Sequence, residues 1–176
     1  MAAYTQIEID RTKVFSYLEK ANVKKDMFWL SSISTYPTFK INKNGDPTNI
    51  IEGYNLTKTV TIRLSDIGLI DKLSRESTDL IKDNVNFNSQ LPEYYFTKID
   101  QLKIELFGEA SRDSKARAEK LAQSSNNKVG ALRSAQQGVF QITPEHSTSV
   151  SDYGENDTTS IRKSVKAVVS IQYAVE

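Results

Sequence analysis

The chain contains 176 residues, with 23 Lys and Arg against 22 Asp and Glu, and its formal net charge is +1 at pH 7. A charge this close to zero gives no general attraction to nucleic acid or to anionic lipid. The absence of cysteine excludes disulfide frameworks, thiolate catalysis and cysteine zinc sites.

The first half of the chain predicts a helix, two strands and a second helix. Helical spacing of apolar residues over residues 6–21 indicates an amphipathic helix. An extended segment over 28–41 and a return strand over 54–65 flank a turn at 42–47. Alternation in the return strand predicts one buried and one wet face. The second helix, capped by Ser65 or Asp66, is expected to end near residue 84.

The second half predicts a third strand, a long helix and two further strands. Alternating apolar and polar residues over 84–96 indicate the third strand, although Pro92 interrupts it. The long helix is expected over 98–125, with Thr97 as its N-cap. Strands follow over 132–142 and 161–175, with Gly138 at a bulge or a close backbone contact. The polar stretch between them predicts a loop or hairpin tip.

The long helix separates an apolar stripe from a charged flank. Leucine and alanine recur every three or four residues along the stripe, which indicates that this edge covers a sheet. Glu105, Glu109 and Asp113 recur every four residues on the flank. A diiron or acid–base pair is conceivable there, but the Glu-x-x-His partner of a diiron bundle is missing. We interpret the flank as a solvated face.

The predicted order is therefore helix, strand, strand, helix, strand, helix, strand, strand. Two helix–strand–strand units joined by a further helix and strand indicate an α+β fold with a largely antiparallel sheet and helices packed on it. We predict a single domain over residues 1–176. No composition shift divides the chain, and no repeat recurs at a fixed period.

Two groups of residues are candidates for interaction. The acidic segment includes Asp152, Tyr153, Glu155 and Asp157. We interpret it as a solvated hairpin end, and calcium binding is the alternative that its oxygen ligands leave open. Tyr94 and Tyr95 belong to a group of aromatic residues. We interpret the group as ordinary packing in a sheet, and the alternatives are that it lines a ligand pocket or forms a contact between subunits. The group also contains Phe96, Tyr36 and Tyr54.

No set of residues predicts catalysis. His146 is the single histidine, and it lies in a loop rich in serine and threonine without a second ligand at a metal-binding spacing. None of the glycines belongs to a phosphate-binding loop sequence. We therefore expect no cofactor and no metal, and a protein that is not an enzyme.

Several segments resemble the SIMPL domain, and in particular its bacterial cell-envelope branch. They are residues 93–98 (EYYFTK), 102–105 (LKIE), the helix segment 110–122, residues 138–143 (GVFQIT) and the closing stretch from Ser151. The similarity covers the chain from about Tyr54 to the C-terminus, and residues 6–41 by element order alone. Relative to the family pattern, the leader and the first one or two strands before the first helix are missing, so we expect the sequence to lack that part of a longer protein.

The resemblance implies an exported protein, periplasmic or anchored to a membrane through an N-terminal segment, with a tendency to self-assemble. Some relatives form large ring-like oligomers, and others are linked to oxidative stress. No catalytic residues are established for the family, so none are assigned to this chain.

Two functional hypotheses follow. The first is a non-enzymatic cell-envelope protein that acts through self-assembly or contact with an unknown protein partner, with no nucleic acid involved, and that has a role in stress. The alternative is a small-ligand-binding module, or an unrecognised enzyme, with a tyrosine-lined pocket between the sheet and the long helix.

Overall fold

A computed structural model of the chain describes residues 2–176. These residues form two compact units, which divide between Pro92 and Glu93. Each unit contains a helix followed by a long antiparallel hairpin. The α+β class and the predominance of antiparallel pairing are confirmed. The strands are distributed over four small sheets, and the single-domain prediction stays a prediction.

The described residues of the first unit, 2–92, form two helices and four strands. In chain order these are α1 (Ala2–Lys20), β1 (Phe28–Leu30), β2 (Ser34–Ile41), β3 (Pro47–Thr57), β4 (Val60–Ile62) and α2 (Ile67–Glu76). Two 3-10 turns, Lys25–Met27 and Ser77–Ile81, adjoin them. β1 pairs with β4 and β2 pairs with β3, both antiparallel, so β2 and β3 form a two-stranded sheet of their own.

The core of the first unit lies between α1, α2 and the β1–β4 pair. Leu18, Val23 and Leu73 are buried together, and apolar residues of β1 and β4 pack against them, including Phe28 and Val60. Only the β4 end of the predicted return strand is therefore covered. The expectation of one buried face along the whole strand is wrong for β3, because its residues, and those of β2, are exposed on both faces at most positions.

Asp66 begins α2 as the sequence predicts. Its Oδ1 accepts a hydrogen bond from the backbone N–H of Leu69 at 3.0 Å, which satisfies one of the unpaired donors of the first turn. Replacing Asp66 with alanine is expected to lower the free energy of unfolding by about 1 kcal/mol. Urea titration measures this loss, and the neighbouring Ser65→Ala serves as the control. Equal stabilities of the two variants would contradict the capping role.

The strand predicted over residues 84–96 is not formed, and the element order is corrected accordingly. The backbone N–H of Val85 donates to the carbonyl of Leu80 at 3.1 Å, and Asn84 has a positive φ of 57°. Both features belong to the end of the second 3-10 turn. Val85 is thus buried as part of a helix cap, and the residues after it pair with no strand. Pro92, which has no N–H, cannot extend a ladder.

The second unit contains one helix and five strands. They are α3 (Ile99–Ser124), β5 (Val129–Gln137), β6 (Gln141–Pro144), β7 (Glu155–Asn156), β8 (Lys163–Lys166) and β9 (Val169–Val175). The long helix is confirmed within two residues of its predicted ends. Its N-cap is Lys98, whose side chain makes no capping bond, so the assignment of Thr97 was wrong.

The hairpin of the second unit is divided at its middle. β5 pairs with β9 and β6 with β8, all antiparallel, while β7 lies parallel to β6. The strands predicted over 132–142 and 161–175 are therefore each split in two. The N–H of Gly138 donates to the carbonyl of Val168 at 2.9 Å at this division. A Cβ at Gly138 would lie 3.1 Å from the Cβ of Val168, which confirms the expected close contact.

The apolar stripe of α3 packs against the hairpin of its own unit. Ile99, Leu102, Leu106, Ala110 and Ala118 are half-buried, and the helix contacts β9 and β5. The rings of Phe107 and Phe140 meet edge to face, with their centroids 4.7 Å apart. The predicted role of this helix, to cover strands with its leucine and alanine edge, is confirmed as far as Ala118. It is wrong for Leu121, which is 72% exposed.

Candidate functional site

The acidic segment is fixed to β6 and is not a free hairpin tip. Glu155 pairs with Gln141 and Asn156 with Ile142 in the short parallel ladder of β7 with β6. The backbone N–H of Asp157 then donates to the carbonyl of Ile142 at 2.8 Å. The interpretation of this segment as a solvated hairpin end is therefore wrong for Glu155 and Asp157, because a neighbouring strand holds their backbone.

Asp157 is the centre of a compact set of hydrogen bonds. Its Oδ1 accepts from the backbone N–H of Thr159 at 2.9 Å, from the hydroxyl of Thr159 at 2.8 Å and from the N–H of Ser160 at 3.3 Å. Its Oδ2 lies 3.2 Å from the Nζ of Lys163, which also donates to the Asp157 carbonyl at 2.6 Å. Both side chains of this ion pair are about one-tenth exposed.

These bonds keep Asp157 ionised. Burial opposes ionisation of the carboxyl, but hydrogen bonds from Thr159, Ser160 and Lys163 outweigh it and hold the pKa of Asp157 well below its usual range. Both carboxylate oxygens are occupied by donors from the same loop, and an ammonium group lies beside one of them. Among residues 2–176, no group of three or more His, Asp or Glu side chains is arranged to hold a metal ion.

Two polar residues of β6, Gln141 and Thr143, are fully buried beside this loop. Gln141 donates from Nε2 to the carbonyl of Ser151 at 2.7 Å and accepts from the N–H of Ser151 at 3.2 Å. The start of the acidic segment is thereby fixed to β6. Thr143 is also buried, and its hydroxyl makes no hydrogen bond among the residues that the structure describes.

The two groups of predicted interaction residues lie close together. The N–H of Tyr94 donates to the carbonyl of Thr158 at 2.7 Å, so the segment before α3 runs beside the acidic segment. Tyr94 is half-buried, whereas Tyr95 is exposed and donates from its hydroxyl to Glu93 at 2.5 Å. Asp152 is exposed and Tyr153 is almost fully so, while Glu155 is half-buried and accepts from the hydroxyl of Ser149.

Removal of the Lys163 ammonium is expected to destabilise the second unit. Lys163→Met leaves the poorly exposed Asp157 carboxylate without its cationic partner, and breaking such a pair costs more than the pair contributes. We expect a fall of several degrees in the melting temperature of the unit. Lys166→Met, at an exposed lysine of the same strand, is the control. Equal melting temperatures for the two variants would contradict the role of the pair.

The same pair predicts how stability depends on pH. The pKa of Asp157 is lower in the folded chain than the roughly 3.9 of an unfolded aspartate. Its contribution is therefore fully present above about pH 4 and is lost as the pH falls toward the folded-state pKa. Asp157→Asn is expected to flatten this part of the stability curve, as thermal melts across acidic pH would measure.

A second candidate surface lies on the β2–β3 hairpin of the first unit. Pro37 stands opposite Tyr54 and Phe39 opposite Ile51, and directly opposite residues share a face of the sheet. Phe39, Ile51 and Tyr54 are all exposed, as is Ile41. We call Pro37, Phe39, Ile41, Ile51 and Tyr54 the hairpin face. Tyr36, opposite Asn55, lies on the other side.

Sequence reasoning identified Tyr36 and Tyr54 but missed most of the hairpin face. Residues 48–53 were assigned to no strand, because Asn42–Pro47 marks a turn and the clear alternation begins at Tyr54. The apolar residues 50 and 51 were the available signal. They are adjacent, so they do not fit a simple alternation, and the register shifts between Thr38 and Phe39 and between Phe39 and Ile41 account for this.

The charged flank of α3 lies in solvent. Glu105, Glu109 and Asp113 are exposed, and Asp113 accepts from the Nε of Arg117 at 2.8 Å. The ion pairs on this helix are all of the i,i+3 or i,i+4 kind and add a few tenths of a kcal/mol each. A shallow open depression beside them is lined by Ala116, Arg117, Lys120 and Leu121, with no tyrosine.

Comparison with known proteins identifies the chain at the level of a family. No helix within residues 2–176 has both the length and the apolar character that crossing a membrane requires. A search of curated proteins found no match. A model of the SIMPL family, described as a protein of unknown function (DUF541), matches residues 1–173 and so spans both units. The chain therefore belongs to the SIMPL family.

Proposed function

We propose that the protein is a non-enzymatic component of the cell envelope that acts by self-assembly, through contact between the hairpin faces of two copies. The observation that carries this proposal is the exposed apolar row on the β2–β3 hairpin. Contiguous apolar surface of this kind marks sites of protein contact. The envelope location and a role in stress rest on the resemblance to the cell-envelope branch of the family.

The hairpin has little cover within the first unit, where α1 contacts β3. A two-stranded sheet is marginal by itself in water, because it buries too little apolar area to offset the ordering of its backbone. β2 and β3 are paired only with each other, so each has an unpaired outer edge. A second copy that packs on the hairpin face would supply the missing apolar cover.

Charge favours a second copy over a strongly charged partner. The hairpin contains Lys40 and Lys43 against Asp46 and Glu52, so its formal charge is balanced and two hairpins do not repel each other. The net charge of the whole chain, +1, also allows copies to approach. A partner of strong single-sign charge, such as nucleic acid, would find no matching surface on this hairpin.

The non-enzymatic part of the proposal is supported by how the chain uses its buried polar groups. Gln141 is bonded to Ser151, and Asp157 is bonded to Thr159 and Lys163, all within the same loop. They hold the acidic segment in place. We propose that Asp152, Tyr153 and Glu155, beside Tyr94 and Tyr95, form a second contact surface for an unknown protein partner.

Site-directed cross-linking tests the proposed contact. Because the chain has no cysteine, a single introduced cysteine reports one position. Thr35, opposite Leu56, lies two residues from Pro37 and so at the end of the hairpin face. With a short bis-maleimide, Thr35→Cys is expected to give covalent dimers rapidly. Glu109→Cys, on the exposed flank of α3, is the matched control and is expected to stay mainly uncrosslinked.

The cross-linking yields at these two positions decide whether hairpin faces pair. Preferential cross-linking at Thr35→Cys supports pairing of hairpin faces. Equal yields at the two positions, or none at Thr35→Cys, would overturn it. The ligand-binding alternative stays a prediction. The tyrosines that it assigns to one pocket are divided between the units, with Tyr36 and Tyr54 on the hairpin of the first and Tyr94 and Tyr95 in the second.

A further inference from the structure

The turn that joins β2 to β3 contains the chain's single Asn-Gly sequence, Asn44–Gly45. Both residues are exposed. Gly45 has a φ of +90°, and no atom lies within 4 Å of the place where a Cβ would stand. The peptide nitrogen after Asn44 is therefore flanked by a residue with no side chain to obstruct an approach to it.

We propose that Asn44 is a site of spontaneous deamidation. In this reaction the backbone nitrogen of Gly45 loses its proton and attacks the side-chain Cγ of Asn44. The new C–N bond closes a succinimide ring, the bond from Cγ to the amide nitrogen breaks, and that nitrogen takes up one proton and leaves as ammonia. Water then opens the ring at either carbonyl. One opening yields aspartate and the other yields isoaspartate, in which the main chain runs through the former side chain.

Hydrogen bonds to Asn42 restrain the backbone nitrogen of Gly45 and its neighbours in the turn. The N–H of Gly45 donates to the carbonyl of Asn42 at 3.1 Å. The Oδ1 of Asn42 accepts from the N–H of Asn44 at 2.8 Å and from the N–H of Asp46 at 3.0 Å. These bonds fix the backbone of the turn, whereas the side chain of Asn44 makes no hydrogen bond among the described residues. We therefore expect the side chain of Asn42 to slow ring closure, because it holds the backbone on both sides of Gly45.

Other asparagines lack this combination. Asn22 and Asn84 also have positive φ, but a valine follows each of them, and its branched side chain obstructs attack by the peptide nitrogen. Asn126, with a φ of 58°, is followed by Asn127 rather than glycine. We expect deamidation to be concentrated at Asn44.

Modification at Asn44 changes the end of the hairpin. It adds a negative charge beside Asp46, and isoaspartate lengthens the main chain inside a tight turn. The hydrogen bonds that Asn42 makes across the turn would then lose their geometry. The hairpin end, where Ile41 stands opposite Pro47, is expected to loosen. This inference concerns the turn alone and does not depend on self-assembly.

The test is a time course of the whole chain in mildly alkaline buffer, followed by peptide mapping and enzymatic methylation of isoaspartate. We expect isoaspartate to accumulate at Asn44 well before any other asparagine. Asn42→Ala is expected to raise the rate severalfold, and Asn44→Ser to abolish the signal from this turn. The circular dichroism spectrum of each variant shows that it is folded.

Two results would overturn the inference. One is deamidation that is no faster at Asn44 than at Asn22 or Asn84. The other is an Asn42→Ala variant that is folded yet deamidates at the wild-type rate. This variant keeps the bond from the Gly45 N–H to the backbone carbonyl of residue 42 and loses the two side-chain bonds to Asn44 and Asp46, so an unchanged rate would show that those side-chain bonds do not restrain the turn. Neither result bears on the proposed contact between hairpin faces, which cross-linking measures separately.

Discussion

If copies of the chain assemble through the hairpin face, as proposed, replacing Ile51 with aspartate is expected to leave folded monomers. Ile51 lies at the middle of the hairpin face, opposite Phe39, and is half exposed in the single chain. A carboxylate there would lose its hydration on contact with a second copy. Disruption of a central contact costs about 2 kcal/mol or more, which weakens the dissociation constant at least ~25-fold.

The matched control for this variant is Asn55→Asp. It adds the same charge to the same strand, but Asn55 pairs with Tyr36 on the opposite face. Sedimentation velocity over a range of concentrations measures both variants against the wild-type chain. We expect Asn55→Asp to assemble as the wild type does. Dissociation of both variants to the same degree would indicate a general effect of charge and would contradict the assignment of the hairpin face.

Replacing Leu80 with alanine is expected to destabilise the first unit by about 2–5 kcal/mol. Leu80 is 2% exposed, and its truncation removes apolar contacts and leaves a cavity that the surroundings fill only partly. The chain's single tryptophan, Trp29, is in β1 of the same unit, so its fluorescence during urea unfolding reports this unit.

Ile81→Ala is the control for that substitution. Ile81 is adjacent in sequence but 55% exposed, so we expect a change within about 0.5 kcal/mol. The comparison separates burial from local helix preference, since both residues lie in the same 3-10 turn. Similar losses for the two variants would contradict the placement of Leu80 in the core.

The elements with strong local signals could be predicted from the sequence. The long helix has apolar or small residues at helical spacing over most of its length, and Asp66 is a good N-cap, so α3 and the start of α2 are found where the pattern places them. The strand over 84–96 could not be excluded by pattern alone. Val85 fits the alternation of a strand, but tertiary structure uses it to close a helix end.

The ion pair between Asp157 and Lys163 could not be predicted from the local sequence pattern either. Lys163 interrupts an otherwise apolar strand face, and this was the one signal that it had a buried partner. Its partner is Asp157, six residues earlier, and their pairing depends on the path of the loop between them. Loop paths of this kind are set by long-range contacts, here between β7 and β6, which periodicity does not encode.

The molar mass of the unmodified chain in solution tests the central claim most directly. Sedimentation equilibrium over a wide range of concentrations is expected to give a mass that rises to a multiple of the 19.8 kDa monomer. A mass of 19.8 kDa at every concentration would contradict self-assembly through the hairpin face.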